Sequence, residues 1–251
     1  QILNLLKKLQ RKLKMSLILI THDLTIVRNI TDNVVVMTNG KIVESGKTKL
    51  ILSKPKHNYT KKLLASEPKG EPIKIKKNIA LLSTKDLKVY YPIKKGFLKK
   101  TTGFIKAVDK VSINVFEGQT LGIVGESGSG KTTLGMAILR LIKSNGEINF
   151  FKNKQKLSID KFDFKKMIPL RSEIQVVFQD PFGSLSPRQS IKEIIEEGLG
   201  IHKKNLKEKD RRKLIIDTLK KVELDSTILN RYPHEFSGGQ RQRIAIARAI
   251  V

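Results

Sequence analysis

The chain has 251 residues, 50 Lys and Arg against 23 Asp and Glu, a formal charge of +27 and no cysteine. The cysteine count excludes disulfides and thiolate metal centres, and no window reaches the roughly 18 uninterrupted apolar residues of a membrane-spanning helix. The basic excess invites a nucleic-acid reading, but Lys far outnumbers Arg, the better bidentate phosphate reader, and the charges are scattered along the whole chain, so nucleic acid is set aside as a partner.

In chain order, residues 1–13 carry Ile2, Leu5, Leu6, Leu9 and Leu13 at helical spacing, which predicts an amphipathic helix packed on a sheet. Residues 16–21 are a strand-like apolar run ending at His22. Residues 32–46 predict a hairpin, with Asn39 and Gly40 as its type I′ turn. Residues 66–78, polar and with two prolines, are a linker. The lysine-rich segment 92–100 reads as a solvated loop, and residues 120–124 as a buried parallel strand.

The segment immediately after that strand carries the chemistry. Gly125-Glu126-Ser127-Gly128-Ser129-Gly130-Lys131-Thr132, continuing into Thr133, is a complete phosphate-binding loop between a strand and a helix predicted over 132–141. Its glycines let the backbone N–H groups converge where Cβ atoms would obstruct a phosphate. Lys131 reaches the β- and γ-phosphates, the Thr132 hydroxyl binds magnesium, and the helix N-terminus adds a favourable dipole. ATP and Mg2+ are therefore the expected ligands.

A second motif, Ser237-Gly238-Gly239-Gln240, opens another helix. Ser at the N-cap with Gln three positions on is a capping box. The two glycines cost helix stability and make sense where something approaches the backbone closely. Together with the upstream loop, this unit resembles the signature motif of ATP-binding cassette (ABC) ATPases, with Phe236 where Leu is usual. The resemblance implies that Ser237, Gly238, Gly239 and Gln240 contact the γ-phosphate of a nucleotide held by an opposing domain. Val176-Val177-Phe178-Gln179-Asp180-Pro181 resembles the family's Q-loop, which makes Gln179 a magnesium ligand. His22, in Leu19-Ile20-Thr21-His22-Asp23-Leu24, resembles the switch histidine that holds the attacking water; a single His after a strand also has a structural reading. Tyr91 resembles the aromatic that stacks on adenine, with Tyr90 and Phe104 as competitors.

Two longer stretches, 179–188 and 232–243, together with Pro55-Lys56-His57-Asn58-Tyr59-Thr60, resemble the oligopeptide/dipeptide/nickel importer branch, and the order of motifs resembles the fused double-ATPase component of microcin C/peptide importers. The expected fold is α/β: a P-loop NTPase of ABC type with a mostly parallel sheet core, an antiparallel β subdomain and a helical subdomain, incomplete. Residues 1–66 are expected to be the C-terminal part of one ATPase domain, 67–80 the linker, and 81–251 the N-terminal part of a second.

No apolar run ending in Asp-Glu, the family's Walker B segment, occurs in the 251 residues, and it is expected after Val251 and before Gln1. The expected function is ATP-driven uptake of peptides or peptide-like solutes. The catalytic residues are His22, Lys131 and Gln179. The rival is a nucleotide-binding module that does not turn over, favoured for these 251 residues alone. Expected partners are a second ABC ATPase domain, transmembrane permease subunits and, indirectly, a periplasmic solute-binding protein, at the cytoplasmic face of the inner membrane. One further expectation is that residues 17–20 pair in parallel with 121–124, bringing His22 near Lys131.

Overall fold

The computed structural model describes residues 2–21, 23–67, 70–71, 79–96, 100–153 and 155–251. They form two compact units, Gln1–Ile73 and Lys74–Val251.

In the first unit, helix α1 (Ile2–Leu13) forms where the spacing predicts it, yet none of its residues is buried. Ile2, Leu5 and Leu13 are exposed and Leu6 is half-buried, so the expected packing of this face on a sheet does not form among the described residues; Lys7 donates to the Asn29 carbonyl at 2.8 Å. Helix α2 (Leu24–Ile30) starts at Asp23, whose carboxylate accepts from the Thr25 and Ile26 amides. Strands β1 (Asn33–Thr38) and β2 (Lys41–Lys47) make the expected antiparallel hairpin. Asn39 and Gly40 both have positive φ, at 49° and 72°, as a type I′ turn requires. Helices α3 (Thr48–Ser53) and α4 (Asn58–Ala65) come next, and Glu44 of β2 accepts from the Lys56 and His57 amides ahead of α4.

The second unit has a β half and a helical half. Strands β3 (Ala80–Lys95), β4 (Lys100–Val111), β5 (Asn114–Phe116), β6 (Asn145–Lys152) and β7 (Gln155–Ser158) form one sheet in the order β4-β3-β6-β7, with β5 also on β3. Helix α5 (Lys131–Ile138) lays Leu134 and Ala137 against it, and Leu87, Val89, Val108, Ile148 and Phe150 complete the core with Met167 of the short α6 (Phe164–Met167). After α7 (Pro181–Ser184), helices α8 (Ile191–His202), α9 (Glu208–Lys221) and α10 (Gly238–Ile250) bury a second core of Ile191, Ile194, Ile195, Ile215, Leu219 and Ile244. These halves are the expected antiparallel β subdomain and helical subdomain.

The mostly parallel core is not formed among the described residues. Every strand pair among the described residues is antiparallel. Residues 15–21, 119–126 and 175–178 carry no strand, so neither 17–20 nor 121–124 is the strand that the expected pairing needs. Apolar composition makes a run capable of β structure, but a strand exists only where a neighbour supplies its hydrogen bonds. Two smaller expectations also change. Pro92 to Lys95 belong to the β3–β4 ribbon rather than to a loop, with Pro92 opposite Phe104. Ala80, counted with the linker, pairs with Phe116 in the sheet.

Candidate nucleotide site

The phosphate loop folds as the glycine pattern demands. Gly128 and Gly130 hold φ of 80° and 90°, a left-handed region that side-chain-bearing residues avoid. A Cβ at Gly130 would stand 2.0 Å from the Ala107 carbonyl oxygen, so two separate requirements fix glycine there. Gly130 is also the N-cap of α5, and residues 128–133 line a 150 Å³ cleft with Ala107. Helix α5 begins at Lys131, one residue earlier than predicted, and ends at Ile138. The Lys131 ammonium donates to the Gly125 and Glu126 carbonyls at 2.7 and 2.6 Å and to Ser129 Oγ at 3.3 Å. It is thus held over the loop in which Ser127, Ser129 and the glycines present their backbone.

Thr132 lines this cleft, while Gln179 lies in the extended, exposed segment before α7. A hydroxyl and an amide carbonyl are hard oxygen donors of the kind Mg2+ takes alongside phosphate oxygens, so each residue suits that ion by its chemistry, although Gln179 does not line the cleft that holds Thr132. No cluster of three or more His, Cys, Asp or Glu suited to a metal occurs among the described residues. His22 lies outside the described residues.

The three aromatic candidates are separated by the ribbon. Tyr90 sits opposite Lys106, Tyr91 opposite Ile105 and Phe104 opposite Pro92. The Tyr90 phenol donates to the Asp109 carboxylate, and its ring is flanked by Phe104, 6.3 Å away, and by the Lys106 ammonium, 5.5 Å away. That hydrogen bond raises the Tyr90 pKa and, with Lys106, lowers that of Asp109. Tyr90 is therefore committed within the ribbon, whereas Tyr91 is 45% exposed beside an exposed Ile105.

In the second motif, Ser237 and Gln240 make the capping box: Ser237 Oγ accepts from the Gln240 amide at 3.4 Å, and the Gln240 side chain accepts from the Ser237 amide at 3.1 Å. The glycines need another explanation. Gly238 and Gly239 are exposed, and a Cβ at Gly239 would meet nothing within 4 Å. Packing among the described residues therefore does not require glycine at position 239. Phe236 is buried in the helical core with the Arg231 guanidinium over its ring at 4.5 Å. Arg241 pins the turn by donating to the Phe236 and His234 carbonyls.

Ala107 and Asp109 lie in no motif and were not legible in the sequence; Ala107 reaches the phosphate loop from β4.

Comparison with known proteins identifies the family. The family model described as ABC transporter matches residues 108–251. Over its whole length the chain is 52% identical to the peptidoglycan transport ATP-binding protein YejF of Agrobacterium fabrum, covering 45% of that protein. It is 46% identical to the uncharacterized ABC transporter ATP-binding protein YejF of Escherichia coli, covering 47% of it, and 40% identical to the glutathione import ATP-binding protein GsiA of Shigella flexneri, covering 44%. The chain thus spans just under half the length of these relatives. Among solved structures it resembles the ATP-binding cassette MJ0796, described as a dimeric post-hydrolysis state bound to ADP and Pi. The TM-score is 0.57 at 32% identity, covering 68% of this chain and 69% of that one. With a family model over more than half its residues and a matching phosphate loop, the chain belongs to the ABC transporter family.

Proposed function

We propose that this chain is part of the ATP-binding subunit of an importer for peptides or peptide-like solutes, and that the intact protein hydrolyses ATP to drive uptake. One observation carries the reading: a phosphate loop with Lys131 held over it occurs in the same unit as a helix whose exposed Gly239 no contact among the described residues explains. Relatives named for peptidoglycan transport and glutathione import support the solute class. The binding-only rival finds no support among them, and the similar MJ0796 structure is described as a post-hydrolysis state.

In this reading the loop amides and Lys131 bind the β- and γ-phosphates. Tyr91 stacks on the base, which any aromatic face can do. Thr132 and Gln179 would hold Mg2+, which would supply neutralisation of phosphate charge. Gly238 and Gly239, with Ser237 and Gln240, meet the γ-phosphate bound by an opposing ATPase domain, and His22 orients the attacking water. Residues 1–66 belong to one ATPase domain, 67–80 to the linker and 81–251 to the next. The subunit docks on transmembrane permease subunits at the cytoplasmic face of the inner membrane, receiving solute indirectly from a periplasmic binding protein. No helix among the described residues is long and apolar enough to cross a membrane, which suits a peripheral position.

Titration with a fluorescent ATP analogue tests the site. Lys131→Ala is expected to lower affinity at least about a hundredfold, as loss of a charge-assisted phosphate contact does. Equal affinity in the variant would remove the phosphate loop from the mechanism.

A further inference from the structure

The β3–β4 ribbon contains a side-chain clamp that none of the nucleotide motifs uses. Val89 lies opposite Val108, and Tyr90 opposite Lys106, so Ala107 is the extra residue of a β-bulge. Tyr90 and Lys106 stand on one side of that bulge and Asp109 on the other. The Tyr90 phenol donates across it to one Asp109 oxygen, while Lys106 Nζ lies 3.4 Å from the other. Both partners are accessible from outside the core, so burial does not explain why they meet.

The position of the bulge gives the clamp its consequence. Ala107 is where the ribbon abuts the phosphate loop, since its carbonyl occupies the space a Cβ on Gly130 would need. Tyr91 and Ile105 face each other one step beyond the bulge. A bulge breaks the regular ladder and increases local twist, so backbone pairing alone fixes the outer ribbon poorly relative to the inner. A hydrogen bond to a charged acceptor that spans the break supplies what the ladder lacks.

We propose that Tyr90 and Asp109 are positioning residues for nucleotide binding: their hydrogen bond locks the bulge at Ala107 and so sets the Tyr91 ring at a fixed place relative to the phosphate loop. The inference rests on the reading of Tyr91 as the base platform. It predicts a defect confined to ligands that carry a base.

The test titrates the full 251-residue chain with MgATP and with magnesium tripolyphosphate, which has the phosphates without a base. Tyr90→Phe and Asp109→Ala are each expected to weaken MgATP about fivefold while tripolyphosphate stays within about twofold, the scale of one lost hydrogen bond. Tyr91→Ala is the control for the underlying reading: if it binds MgATP as the parent does, the base platform is wrong and the positioning role falls with it. Where Tyr91→Ala does weaken MgATP, an unchanged Tyr90→Phe, or equal losses with both ligands, overturns the positioning role, because a general loosening of the fold does not distinguish ligands by their base.

Discussion

Strands β3 and β6 and the runs at 120–124 and 176–178 are built from the same kinds of residue and end in opposite environments. Leu87, Val89 and Ile148 are 0%, 3% and 0% exposed in the antiparallel sheet. Val124, Ile123 and Val177 are 93%, 44% and 42% exposed. The difference is pairing. β3 finds β4, β5 and β6 within the same unit, and α5 covers the resulting face. The runs at 120–124 and 176–178 have no hydrogen-bonded neighbour among the described residues. An apolar run without a partner keeps its amides in water and gains nothing from its side chains.

Hydrogen exchange probes this contrast most strongly. Amides of residues 87–89 and 148–150 are expected to exchange at least about a thousandfold more slowly than those of 121–124, because they open only with the sheet. Comparable protection in the two regions would show that residues 121–124 are paired after all. Core truncation has the next largest effect. Ile148→Ala is expected to cost about 2–5 kcal/mol in urea unfolding, whereas Val124→Ala stays within about 0.5 kcal/mol. A large loss from Val124→Ala would mean that its exposed side chain is covered in solution.

The smallest effect is on pH dependence. Backbone amides hold three carboxylates below the usual range: Ser190 holds Glu193, Thr227 holds Asp225 and Tyr232 holds Glu235. The Tyr90 phenol does the same for Asp109. A carboxylate with a depressed folded pKa contributes stability above its unfolded pKa and loses it as pH falls through the folded value. Urea midpoints are therefore expected to be flat near neutrality and to fall as pH drops below the ordinary carboxylate range. Glu193→Gln and Asp225→Asn together should flatten that fall. An unchanged acid slope in the double variant would assign it to other groups.

Much of this protein was set by local sequence. The hairpin at Asn39 and Gly40, the phosphate loop with its glycines, and the capping box at Ser237 and Gln240 all depend on contacts within a few residues, and each forms where the sequence places it. The helical spacing of residues 1–13 likewise produced a helix. What that helix packs against was not a local property, and its apolar face meets no sheet among the described residues. Tertiary structure alone decided which apolar runs became strands, since pairing depends on residues far apart in the chain. It also separated Tyr90 from Tyr91, adjacent residues of one type: register set Tyr90 across from Lys106, within reach of Asp109, and Tyr91 opposite Ile105. The requirement for glycine at position 130 has both origins. The loop's left-handed turn is written in the motif, but the Ala107 carbonyl that forbids a Cβ there arrives by packing, from a strand well upstream in the chain.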